Sequence, residues 1–205
     1  MIWESAYWKE ELFRHARRIR QRKALKRWSD RSAAGLEKDL MIGFYSIRKL
    51  FEAHKVSDEI RDRSIRLLGF PWTGSPVNFM NWDKIDQKYD LDHPVALAKT
   101  VMWIANQMIH SYVFMPSFDS EGNLDSILFN SDRTRRQHLF ALRVDEIIDL
   151  FEEIGANDPA SMHIKLNEAT GEYDIRIGPT MEFPGPAAND GMQQTALRAA
   201  AVAEG

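Results

Sequence analysis

The stretch PVALAKTVMWIANQMIHSYVF, residues 94–114, is the longest part of the sequence in which apolar residues keep a helical period without a break. Asp92 can cap free N–H groups at its start, and Pro94 suits the first turn of a helix, where a missing N–H costs nothing. The pattern therefore predicts one long helix over residues 94–111 that lies deep in the core. Its apolar positions, three or four residues apart, are Val95, Ala98, Val101, Ala105, Met108 and Tyr112.

The less apolar face of this predicted helix carries Trp103, Asn106, Gln107 and His110. Asn106 and His110 are four residues apart, so a helix places their side chains next to each other. Imidazole gives or takes a proton near neutral pH, and an amide can orient a phosphate or hold the imidazole in one tautomer. We therefore predict Asn106 and His110 as the candidate catalytic residues. In the alternative interpretation, which we favour, the two side chains satisfy each other or nearby backbone at the rim of the core.

The composition is that of an ordinary globular protein of 205 residues, with 44% hydrophobic and 28% charged residues. The absence of cysteine excludes disulfides, thiolate catalysis, iron–sulfur clusters and the common structural zinc sites. No stretch approaches the roughly 20 apolar residues of a membrane span, and the N-terminus lacks the apolar run of an export signal. We therefore expect a soluble, cytoplasmic protein without a membrane contact or a cofactor.

Charge is distributed unevenly along the chain. Residues 1–31 contain ten Lys and Arg against four Asp and Glu, whereas the remainder contains 17 against 26. A helical pattern over about residues 3–28 puts this positive charge on a predicted N-terminal helix. Such a helix can dock on an acidic surface of the same chain, on an acidic protein partner or on nucleic acid, and the sequence leaves these alternatives open.

Two basic clusters supply the candidate binding residues, and the second can also stabilise the charge of a phosphate during its transfer. They are Arg14, Arg17, Arg18 and Arg22 within residues 14–31, and Arg133, Arg135 and Arg136 in the second cluster.

For the rest of the first half of the chain, the pattern predicts helices joined by a long connection. Residues 36–53 are predicted to form a helix with an apolar stripe. Its polar exceptions are Arg48 and, at the C-terminal end, His54. Residues 57–69 are typical of a short helix ended by glycine. The connection, residues 69–93, is rich in Gly, Pro and aromatic residues. Its acidic part fits no metal-loop spacing, so we predict no metal site at Asp83, Asp86, Asp90, Asp92 and His93.

Strand patterns appear later in the chain. A hairpin is predicted over residues 112–130 with a turn at Gly122 and Asn123, and a second hairpin over residues 163–178. A short helix over residues 145–155 lies between them. The sequence thus predicts an α+β fold with a helix-rich N-terminal two thirds and two short antiparallel hairpins near the C-terminus. We expect a single domain over residues 1–178, followed by a disordered tail over residues 179–205.

The sequence ANQMIH, residues 105–110, resembles the motif of the HEPN family, which consists of Arg, a polar residue, three variable residues and His. Asn106 and His110 match the polar and His positions, and Ala105 stands where the family has Arg. The resemblance covers at most residues 36–114, and it also rests on the two predicted helices at 36–53 and 94–111, with the polar pair near the end of the second. It implies metal-independent RNA cleavage by residues from two subunits, and hence a homodimer.

These observations favour a non-catalytic interaction protein that associates with an acidic partner or nucleic acid through residues 14–31. The alternative is a metal-independent ribonuclease that uses His110, which is the only enzyme the sequence indicates.

Overall fold

The computed structural model describes residues 2–178, which contain five α-helices and seven β-strands. The predicted tail, residues 179–205, lies outside the described residues. The helices are α1 (Ser5–Lys23), α2 (Asp30–Glu52), α3 (Asp58–Asp62), α4 (Val101–Ile109) and α5 (Val144–Ala156). The strands are β1 (Ser64–Pro71), β2 (Val95–Thr100), β3 (Ser111–Phe118), β4 (Leu124–Ser131), β5 (His138–Arg143), β6 (Met162–Leu166) and β7 (Tyr173–Ile177).

Strands β1 to β5 form one central antiparallel sheet in the order β2-β1-β5-β4-β3, and β6 and β7 form a separate two-stranded sheet. The larger core lies between the helices and one face of the central sheet, where Phe44 and Phe151 meet edge to face. On the opposite face, Val77 and Tyr89 of the long connection pack against strands β3, β4 and β5. The sheet is therefore covered on one face by helices and on part of the other by a loop.

The chain is α+β, but the predicted arrangement of two short hairpins near the C-terminus is wrong. The sheet is central, and its strands come from residues 64–143 rather than from the end of the chain. Strand β1 occupies the segment that we interpreted as the end of a short helix. Its side chains alternate between the helix-covered face and the opposite face, with Ile65 and Leu67 buried and Arg66 and Leu68 exposed.

The predicted helix over residues 94–111 is also wrong, because its first third is strand β2. Residues 95–100 pair with β1 in an unbroken register, and Thr100 then begins α4 by accepting a hydrogen bond from the backbone N–H of Trp103 at 3.2 Å. Val95 and Ala98, which the helical period assigned to the buried stripe, are exposed on the strand. A short apolar run does not distinguish a strand from a helix by its period alone.

The basic helix α1 docks on the rest of the same chain. The buried ammonium of Lys9 donates to the carbonyl of Asn157 and to the carboxylate of Asp158, both at 2.5 Å. Arg20 forms a two-pronged pair with Glu152 of α5, at 2.8 and 2.9 Å. Positive charge at this end of the sequence therefore meets negative charge within the molecule. No helix among residues 2–178 is long and apolar enough to cross a membrane.

Candidate functional site

A cleft of about 630 Å³ opens between α2, α4 and the turn that joins β4 to β5. Helix α4 is short and follows β2 directly, so its polar face is held at this position by the sheet. We call this site the α2–α4 cleft. Its lining residues are Arg48, Trp103, Asn106, Gln107, His110, Ser131, Asp132, Arg133 and Thr134.

Both predicted catalytic residues and one predicted arginine line this cleft. His110 is the C-cap residue of α4 and is exposed, Asn106 lies one turn earlier, and Arg133 reaches the cleft from the β4–β5 turn. The side chains of Asn106 and His110 share no hydrogen bond within the described part of the chain, although the backbone N–H of His110 donates to the carbonyl of Asn106 at 3.3 Å. The two side chains therefore do not satisfy each other, which is one of the two forms of the alternative that we favoured.

The imidazole of His110 instead faces Arg48 of α2. The Nη1 of Arg48 lies 3.3 Å from Nε2 of His110, and its Nε donates to Glu52 at 2.7 Å. Sequence reasoning did not place Arg48 in a site. The signal was present, because Arg48 is a cation within an otherwise apolar stripe, but only the packing of α2 against α4 brings it to His110.

The floor of the cleft is polar and well ordered by hydrogen bonds. The hydroxyl of Thr134 donates to Oε1 of Gln107 at 2.9 Å and accepts from the backbone N–H of Ser131 at 3.0 Å. These contacts connect α4 to the β4–β5 turn. Arg133 is thereby held, exposed, at the rim.

The other two arginines of the second basic cluster do not line the cleft. The guanidinium of Arg135 lies 4.1 Å from the centre of the Tyr112 ring and donates to the carbonyl of Val77, so it fastens the long connection to the sheet. It also pairs with Asp132 at 3.0 Å. Arg136 is exposed. The structure thus assigns these neighbouring arginines three different environments.

The candidate arginines of α1 are mostly engaged within the chain. Arg18 donates to Asp39 at 2.8 Å, Arg22 also donates to Asp39, and Arg14 pairs with Glu10 and Glu11 of its own helix. Arg17 is exposed and forms no ion pair with the described residues. Among the four, Arg17 alone therefore presents a guanidinium without a carboxylate partner in residues 2–178.

Asp39 is the centre of this α1–α2 contact. Its carboxylate is buried, with 7% of the side chain exposed, and it also accepts a hydrogen bond from Nδ1 of His15 at 2.8 Å. Burial raises the pKa of Asp39, but the hydrogen bonds from His15, Arg22 and Arg18 outweigh it and hold the pKa at about 2. The carboxylate is ionised at neutral pH and joins the two helices.

The acidic part of the long connection contains no metal-binding cluster among the described residues. The imidazole of His93 lies 3.0 Å from the carboxylate of Asp90, and both are at least partly exposed.

No family model, no curated protein and no solved structure matches this chain. The comparisons do not test the resemblance of residues 105–110 to the HEPN motif, which stays a prediction.

Proposed function

We propose that this protein binds single-stranded RNA in the α2–α4 cleft. The observation that carries the proposal is the meeting of two guanidinium groups, Arg48 and Arg133, with His110 and the amide of Asn106 around one cavity. Guanidinium groups match the oxygen geometry of a phosphate, and hydrogen bonds from charged donors are the strong ones. The cleft thus contains cationic hydrogen-bond donors that can bind the oxygens of a phosphodiester.

Trp103 supports a nucleic-acid ligand over a free phosphate. Its ring lies on the cleft wall, packed edge to face on Phe140 at 5.0 Å between centroids, with the ammonium of Lys99 5.1 Å away. Unpaired bases stack on aromatic side chains, and RNA-binding sites combine such stacking with backbone contacts. The polar groups of Asn106 and Gln107 suit the 2′-hydroxyl and base edges of a single strand.

This proposal keeps the nucleic-acid association expected from the sequence and changes its location. Binding through residues 14–31 would require arginines that are free to meet phosphates, whereas Arg14, Arg18 and Arg22 already pair with carboxylates of the same chain. If a phosphate replaced the carboxylate partner of one of these arginines, the gain in binding free energy would be small, because one ion pair is broken for each one formed. In the cleft the same cost applies to Arg48, which pairs with Glu52, but not to Arg133, which forms no ion pair with the described residues.

Binding is tested by fluorescence anisotropy of a labelled, unstructured RNA oligonucleotide. The double variant Arg48→Ala/Arg133→Ala should weaken binding at least tenfold, and each arginine lost should reduce the slope of log K against log salt by about 0.7. The matched control is Arg17→Ala, which removes one exposed guanidinium from α1 and should leave affinity unchanged. A loss of affinity in the control but not in the double variant would place binding on α1 and refute the proposal.

A second candidate function, metal-independent RNA cleavage, is favoured by the 3.3 Å contact between Arg48 and His110. A general base at His110 would take the proton of a 2′-hydroxyl, and the 2′-oxygen would attack the adjacent phosphorus. The bond between phosphorus and the 5′-oxygen would break, leaving a 2′,3′-cyclic phosphate, and the 5′-oxygen would take a proton from water. Arg48 would stabilise the negative charge that develops on the phosphate. Arg48 would then supply the guanidinium that Ala105 cannot.

This candidate predicts cleavage of RNA in the presence of EDTA. His110→Ala should slow the reaction by about 10²–10⁴, the range typical of general acid–base catalysis. Melting temperatures should be equal for the two proteins, because His110 is exposed. If the wild type binds the oligonucleotide without cutting it, the enzyme hypothesis fails and the binding proposal stands.

A further inference from the structure

Strand β2 forms an open edge of the central sheet. It lies at the end of the strand order and pairs with β1 alone among the described strands. No hydrogen bond joins the backbone of residues 95–100 to another described segment besides β1. One side of this strand therefore presents backbone N–H and C=O groups in the geometry of a sheet, and such a row is a template for a further strand.

The opposite edge, β3, is built differently. Its register with β4 shifts between Ser111 and Val113 and again between Ser117 and Phe118, and Pro116 lies between these irregularities. Bulges and proline are the devices that keep an edge strand from pairing with another chain. Edge β2 has neither device. Its six residues keep a continuous register with β1, and its single charge, Lys99, lies beside the Trp103 ring.

An apolar strip adjoins the open edge on the sheet face opposite the helices. Leu68 of β1 pairs with Ala96 of β2, and both are exposed, as is Ala98. Leu68 keeps 45% of its surface accessible, whereas Val95, opposite Gly69, lies on the helix-covered face. A strand added to β2 would bring side chains over this strip, so backbone pairing and apolar burial would act together.

We propose that β2 pairs antiparallel with β2 of a second copy of this chain, about a two-fold axis through Leu97. This register places Ala96 opposite Ala98 of the other copy and Val95 opposite Lys99, so small side chains meet and the two lysines stay apart. The contact is self-complementary and closes as a dimer with one continuous ten-stranded sheet. Lys99 is the only charged side chain of β2 that could select a foreign peptide. A second copy of β2, by contrast, places small side chains opposite small side chains.

The interface is short, since it joins two six-residue strands. Interfaces at the small end of the size range are weak, so the dimer should form by mass action only as concentration rises. Sedimentation velocity from low micromolar to near-millimolar protein should show a shift from monomer to dimer. A wild type that stays monomeric over this whole range overturns the proposal.

Two variants with matched changes test the register. Ala96→Lys/Ala98→Lys puts like charges opposite each other on both sides of the two-fold axis and should abolish the dimer. Ala96→Lys/Ala98→Glu puts opposite charges across the axis and should retain it. Both pairs of substitutions are on the exposed face, so unchanged circular dichroism and melting temperature verify that each variant folds.

The remaining outcomes decide against the proposal. A dimer that persists in the double-lysine variant, or that both variants lose equally, contradicts the pairing of position 96 with position 98. The control Ser117→Lys changes the opposite edge strand and should leave the dimer intact. Dissociation by that control would place the interface at β3 and overturn the assignment to β2.

Discussion

The buried carboxylate of Asp39 holds helices α1 and α2 together. It accepts hydrogen bonds from His15, Arg18 and Arg22, so three donors of α1 converge on one side chain of α2. A carboxylate removed from water is strongly unfavourable unless it is paired and hydrogen-bonded in this way. The predicted binding arginines Arg18 and Arg22 are therefore structural residues in this environment.

Replacing Asp39 with Asn should lower the free energy of unfolding by about 3 kcal/mol, because the partners of a buried ion pair lose their counter-charge. The measurement is urea denaturation at neutral pH. The control Glu11→Gln removes the carboxylate of an exposed ion pair on α1 and should cost less than about 1 kcal/mol. Equal effects of the two substitutions would show that the Asp39 contact does not hold the helices together.

The same residue gives a pH dependence with a defined sign. The pKa of Asp39, about 2, lies below its usual value of 3.8, so its contribution to stability is complete above the usual value and is lost as the pH falls through the folded one. The difference in stability between wild type and Asp39→Asn should therefore shrink between about pH 4 and pH 2, by about 2 kcal/mol. A difference that stays constant over this window would contradict the assigned pKa.

At the scale of single side chains, the sequence located the cleft only in part. Asn106 and His110 were predictable, because they lie within one helical turn and their spacing is a local property. Arg48 was not, because its approach to His110 depends on how α2 packs on α4, more than fifty residues away. Arg135 was misleading for a related reason: its charge indicates a binding surface, but its position against Tyr112 and Val77 gives it a structural role.

At the scale of elements, residues 95–109 determine the position of the site. Strand β2 pairs with β1, and α4 begins at the strand's last residue, so the sheet fixes the direction in which the polar face of α4 points. We predicted one helix here because β2 shares its apolar residues with a helical pattern. Residues 95–100 form a strand because they pair with residues 64–69. These partners are about thirty residues away, so the local sequence pattern does not reveal the pairing.

Elements with local signals were easier to predict. The β3–β4 turn was predicted at Gly122, whose φ of +78° favours glycine. Helix α2 was predicted from its apolar stripe over residues 36–53, but it begins earlier, at Asp30, where a capping box between Ser29 and Ser32 starts it. Both predicted hairpins are present, as β3–β4 and β6–β7, but the order of strands in the central sheet has no comparable local signature. The prediction therefore missed that β3 and β4 belong to a five-stranded sheet.

At the scale of the whole molecule, most of the basic residues in residues 1–31 form ion pairs with carboxylates of the same chain. Lys9, Arg20 and Lys23 of α1 pair with Asp158, Glu152 and Asp145 near the C-terminal end of the described chain. The basic segment therefore brings together two distant parts of the sequence. Each of the two binding surfaces considered keeps an exposed arginine that forms no ion pair with the described residues, Arg17 on α1 and Arg133 at the α2–α4 cleft.

The measurement that tests this account most directly is a titration of ¹⁵N-labelled protein with an unstructured RNA oligonucleotide, followed by amide and arginine side-chain NMR signals. We expect the shifts to change first at residues 103–110 and 131–134 and at the Arg48 guanidinium, with Arg17 unaffected. Changes centred on residues 14–31, or no changes at low salt, would contradict the claim that the α2–α4 cleft binds RNA.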